Sequence, residues 1–169
     1  MGTPCDGLRS FVVRVLTLVF ALGLAHAGEA ADVRQIGLRT NDLVYDSNSG
    51  LIYASVPSSA GPPNGNSIVK IDPVTGMVGS PVFVGSEPTK LALSQDGQFL
   101  YVALEGSAQV CRVAVGTWTA EAPFSLGSDP FFGPYYAEDI AVQPGNPDVI
   151  AVSLKYSGVS PRHAGVAIF

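Results

Sequence analysis

Pro88-Thr89-Lys90-Leu91-Ala92-Leu93-Ser94-Gln95-Asp96-Gly97-Gln98-Phe99-Leu100-Tyr101-Val102 decides how the rest of the chain is read. Two short runs of branched, aliphatic and aromatic residues flank Ser94-Gln95-Asp96-Gly97. Gly accepts positive φ and Asp bonds its own backbone, so the four residues between the runs are turn chemistry and the whole is a β-hairpin. Leu91-Ala92-Leu93 alternates large and small, which suits a strand crowded on both faces.

Outward from this hairpin the same unit returns. Pro81-Val82-Phe83-Val84-Gly85-Ser86-Glu87-Pro88 reappears 42 residues later as Pro123-Phe124-Ser125-Leu126-Gly127-Ser128-Asp129-Pro130. Lys90-Leu91-Ala92-Leu93 matches Asp42-Leu43-Val44-Tyr45 and Asp139-Ile140-Ala141-Val142, and Phe99-Leu100-Tyr101-Val102 matches Leu51-Ile52-Tyr53-Ala54 and Val149-Ile150-Ala151-Val152. A further set is Ile68-Val69-Lys70-Ile71, Val110-Cys111-Arg112-Val113 and Val166-Ala167-Ile168-Phe169. No window after residue 27 keeps a helical apolar period with caps. Tandem four-stranded antiparallel units of about 40 to 50 residues are the signature of a β-propeller. The predicted fold class is therefore all-β, with about two and three-quarter blades preceded by an N-terminal signal helix: blade 1 over about 41–86, blade 2 over about 88–128 and an incomplete blade 3 over about 137–169. Residues 33–38 align loosely with an outer strand and are expected to close a ring.

The hairpin at 88–102, with Ile71-Asp72-Pro73-Val74-Thr75-Gly76, resembles the YVTN family of β-propeller repeats found in extracellular bacterial and archaeal proteins. Tyr53-Ala54-Ser55 and Ala151-Val152-Ser153 depart from the family's Tyr-Val stretch, and Val113-Ala114-Val115 lacks the Asp of its Ile-Asp turn. The pattern is shared by scaffolds, surface-layer proteins and relatives of lactonases and quinoprotein dehydrogenases, so it implies shape rather than chemistry.

At 169 residues, 47% apolar and 14% charged, the chain has the length of one domain and too much apolar surface for a disordered segment. Its formal net charge of -5 with no basic patch excludes nucleic acid as an expected partner. Arg9 and Arg14 precede an uncharged apolar run over 15–24, followed by Ala25-His26-Ala27. This is a signal-peptide pattern, too short for a membrane span, with cleavage expected after Ala27 and a secreted or periplasmic location. Cys5 leaves with the leader, so Cys111 has no internal partner and reads as a small buried hydrophobe.

In a propeller, the loops leading into each innermost strand and those joining the second strand to the third emerge on one face. The long segments 57–66, 128–137 and 157–165 all fall there, and long loops on a rigid scaffold carry binding. The second holds Phe131, Phe132, Tyr135 and Tyr136, able to stack on a sugar ring or to cap the blade. Asn41, Asp42, Lys90, Glu138 and Asp139 start the innermost strands beside the channel, and Arg162 and His163 lie in the third loop. Convergent carboxylates and amides suit a Ca²⁺ ion, but Lys90 repels one, so no metal or other cofactor is assigned and a solvated polar lining is expected. Asp46-Ser47-Asn48-Ser49-Gly50 is a hairpin turn and no EF-hand, because Pro57 stands where the twelfth-position Glu belongs. With His163 the sole histidine after cleavage and no G-x-S-x-G motif, no catalytic residue is assigned.

Two functions remain open. One is an exported binding or structural module recognising a carbohydrate, a cell-envelope component or a protein. The other is the N-terminal part of a propeller enzyme of lactonase or quinoprotein-dehydrogenase type. Three strands of a third blade do not close a ring, so the expectation is a longer propeller, with a two-copy, six-bladed ring by self-association as the alternative.

Overall fold

The computed structural model describes residues 33–169. The signal segment 1–27, with its expected helix, its cleavage point and Cys5, lies outside the described residues.

Blade 1 is a four-stranded antiparallel sheet in the order β1 (Asp42–Asp46), β2 (Leu51–Val56), β3 (Ser67–Ile71) and β4 (Val82–Phe83). Blade 2 holds β5 (Pro88–Leu93), β6 (Phe99–Leu104), β7 (Gln109–Ala114), β8 (Thr119–Ala120) and β9 (Phe124–Ser125). After a short hairpin of β10 (Ser128–Asp129) and β11 (Gly133–Pro134) comes blade 3, made of β12 (Tyr136–Val142), β13 (Ile150–Lys155) and β14 (His163–Ile168). No α-helix occurs among the described residues, and no helix there is long and apolar enough to cross a membrane.

The outer strand of blade 2 is split where the sequence predicts one continuous run. Both β8 and β9 pair with β7, at its two ends. Pro123 lies between them and has no N–H to give a ladder, so the chain bulges out and rejoins. Blade 1 does the same at Pro81: Val78 bridges Ile71, and β4 then pairs with Ser67 and Ile68. The two prolines 42 residues apart thus mark the same break. Before each break the same bond forms, Gly79 N–H to Lys70 O and Glu121 N–H to Arg112 O, each 2.8 Å.

The side chains of β6 separate by the two-residue period of a strand. Leu100, Val102 and Leu104 join Tyr53, Ile68, Leu91, Cys111 and Val113 in the core between blades 1 and 2. Tyr101 and Ala103 turn the other way, into the core with Ile140, Ile150, Val152 and Leu154 of blade 3. A fully buried aliphatic side chain stabilises by about 1.5–3 kcal/mol, so a strand used on both faces holds two blades at once. The innermost strands β1, β5 and β12 pack side by side, as the large-small alternation of β5 requires.

Residues 33–38 form no strand. Ile36 and Leu38 instead pack on Ala54, Val56, Val69 and Ile71, the apolar side of blade 1 turned away from blade 2. The hairpin turns behave as their sequences require. Asp46 accepts Asn48 N–H at 2.9 Å, the Ser49 hydroxyl at 2.6 Å and the Tyr53 hydroxyl at 3.0 Å, while Gly50 takes φ 73°. In blade 2, Ser94 Oγ donates to Asp96 at 2.6 Å and Gly97 takes φ 72°.

Candidate binding face

Three β-bulges decide what the channel mouth presents. Between the pairs Pro88/Leu104 and Leu91/Val102, β5 carries one residue more than β6, and the break falls at Thr89 and Lys90. Between Ala137/Leu154 and Asp139/Ser153, Glu138 is the extra residue of β12. Between Leu154/Gly165 and Lys155/His163, Ala164 is the extra residue of β14. A bulge re-aims a side chain without breaking the sheet. All three lie at the end where each first strand begins and each second strand finishes, so the antiparallel order alone brings them to one face.

Blade 1 holds the first bulge in place. The Asp42 carboxylate accepts Leu91 N–H at 3.0 Å, Ser55 Oγ donates to Thr89 O at 2.6 Å, and Asn41 Nδ2 donates to Pro88 O at 2.8 Å. Asn41 and Asp42 therefore position the backbone on either side of Lys90, and Asp42 also accepts Leu43 N–H at 3.0 Å. Asp139 is the matching residue of blade 3: it accepts Ile140 N–H at 3.0 Å and is otherwise open to solvent.

The result is a polar concavity of about 300 Å³ lined chiefly by Thr89, Lys90, Glu105, Glu138, Lys155 and Arg162. Lys155 Nζ lies 3.2 Å from Glu105, and Arg162 is paired with Glu138 through Oε1. The other oxygen, Oε2, is shielded from solvent and has no hydrogen-bond partner. Lys90, Glu138 and Arg162, expected on one face from the sequence, thus line one concavity, with Asn41 at its edge. Glu105 and Lys155 were not foreseen. Their signal was in the repeat, since each follows the leucine near the end of an aligned second strand, Leu104 and Leu154, 50 residues apart and opposite in charge. Among the described residues no three His, Cys, Asp or Glu side chains come together as a metal set.

Tyr156, whose N–H donates to Arg162 O at 2.7 Å, carries an aromatic platform at the same end of blade 3. Phe132 meets Tyr156 at 4.8 Å between ring centroids, and Tyr135 meets the same ring at 5.6 Å. Asp129 accepts Phe131 N–H at 2.7 Å and Phe132 N–H at 3.0 Å, and the β10–β11 hairpin so fixed leaves Phe131 91% and Phe132 52% exposed. Tyr136 opens β12, paired with Lys155. Sequence reading missed Tyr156 because it sits alone after β13, outside the aromatic cluster. His163 starts β14, exposed, with Arg162 before it.

No family model matches this chain, and no curated protein matches it. Solved structures do. The hydrazine synthase of Kuenenia stuttgartiensis aligns with a TM-score of 0.56 and 19% identity over 75% of this chain and 32% of its own. The Cps50 (Swd1) β-propeller domain of Myceliophteria thermophila gives 0.53 and 15%, over 81% and 40%. Dihydro-heme d1 dehydrogenase NirN gives 0.54 and 13%, over 78% and 28%. The fold is that of a β-propeller. The chain spans less than half the length of each of these structures. At such identities the likeness carries the fold alone, and the three include both enzymes and a propeller domain named for its shape.

Proposed function

We propose that this chain is part of an exported β-propeller of the YVTN-repeat type that acts as a binding module, its bulged, long-looped face recognising a carbohydrate or a carbohydrate-bearing cell-envelope component. The observation that carries this reading is that the exposed rings of Phe131 and Phe132 and the polar concavity both lie at the loop-bearing end of the sheets. Aromatic rings take the apolar C–H face of a sugar, and convergent polar groups fix its hydroxyls. The leader pattern over 1–27 supports export.

A glycan array probed with the full chain tests it. Binding to a defined set of glycans is expected, reduced about tenfold or more in a Phe131→Ala/Phe132→Ala variant, because both rings are exposed and their loss leaves the core intact. An array silent for the folded protein, or binding unchanged in the variant, contradicts the proposal. The enzyme reading has hydrazine synthase and NirN among its fold neighbours in its favour. Among the described residues no cluster of candidate metal ligands forms, so no metal chemistry is assigned to it there.

A further inference from the structure

The polar concavity is short of two things, an anion and a hydrogen-bond donor. Of its three cations, Lys155 is matched by Glu105 and Arg162 by Glu138. Lys90 stands exposed on its bulge, and among the described residues no hydrogen bond or ion pair engages its ammonium. In a chain with 9 basic and 14 acidic residues, this is a local reversal of the overall charge. In the same lining, Glu138 Oε2 is an acceptor with no donor, and a carboxylate oxygen held out of water calls for one. Of the lining residues only Ala137 is apolar, which excludes a hydrocarbon ligand, and about 300 Å³ is room for one sugar ring.

The aromatic platform is tied to these groups by backbone: Tyr156 N–H donates to Arg162 O at 2.7 Å, and Tyr136 pairs with Lys155 across the β12–β13 ladder. A ligand that spans both features needs an apolar ring face, a hydroxyl and a negative charge. Resting on the carbohydrate reading above, we infer that the concavity is a subsite for an acidic saccharide, a uronate whose carboxylate pairs with Lys90, whose hydroxyl donates to Glu138 Oε2, and whose ring face meets the aromatic platform.

Titration calorimetry of the full chain with tri-galacturonate and with neutral galactotriose tests this. The uronate should bind about two- to fivefold more tightly, as one solvent-exposed ion pair implies. Lys90→Gln should erase that advantage without weakening the neutral sugar, and Lys90→Arg should keep it. Wild type needs no variant to be informative: the advantage should shrink as salt rises from about 50 mM to about 500 mM. Equal affinities in wild type overturn the inference while leaving carbohydrate binding intact. Absence of binding by both sugars, with a silent glycan array, takes down both readings. Inorganic phosphate displacing tri-galacturonate at equal affinity would reveal a bare anion site and overturn the saccharide assignment.

Discussion

Asp46 shows how a single residue converts turn sequence into stability. It is 2% exposed, and burial alone would raise its pKa, but donors from Ser49, the Asn48 backbone and Tyr53 outweigh that and hold it below the ordinary aspartate value of 3.8. A carboxyl with a depressed folded pKa contributes stability that is present above the unfolded pKa and lost as pH falls through the folded one. Urea midpoints measured between about pH 6 and about pH 2 should therefore fall for wild type below about pH 4. Asp46→Asn should cost about 1–3 kcal/mol at neutral pH and flatten that acid limb. An acid limb as steep in the variant as in wild type would show that other carboxyls carry it. Cys111 illustrates the opposite case. Burial, reinforced by the Glu121 carboxylate, pushes its thiol up to about 11, in keeping with the small buried hydrophobe read from the sequence.

Among the elements, β5 and β6 were the most legible. Alternation in Leu100-Tyr101-Val102-Ala103-Leu104 maps directly onto two inter-blade cores, because period two is all a strand needs to divide its side chains between two neighbours. Leu91 lies 8% exposed in the first of those cores. A charge placed there loses hydration with no partner, so Leu91→Asp should abolish cooperative unfolding in circular dichroism. A parent-like thermal transition would show that β5 is not packed between blades. The bulges were not legible. An inserted residue at Lys90 or Glu138 leaves composition and alternation almost unchanged, and it shows only when two strands are laid in register. The split outer strands were half legible: the Pro81 and Pro123 echo was plain, but its meaning as a break needed the pairing partners.

For the molecule as a whole, two sheet faces lack a neighbouring blade among the described residues. Blade 1 turns Leu43 and Tyr45 outward beside Ile36 and Leu38, and blade 3 turns Val166 and Ile168 outward along β14. Exposed apolar faces of this kind mark contact surfaces, and we propose that a second copy of the chain covers them. Light scattering on the full chain should accordingly give a mass of at least a dimer, and a monodisperse monomer would contradict this. The central claim is that recognition belongs to the bulged face. It is tested most directly by amide hydrogen exchange with and without the best ligand from the glycan array. The account expects slowed exchange at Thr89–Lys90, through the 128–138 segment and across 155–163. Protection confined to the opposite end, in the turns at 46–50, 94–97 and 143–147, would place the ligand on the other face and contradict it.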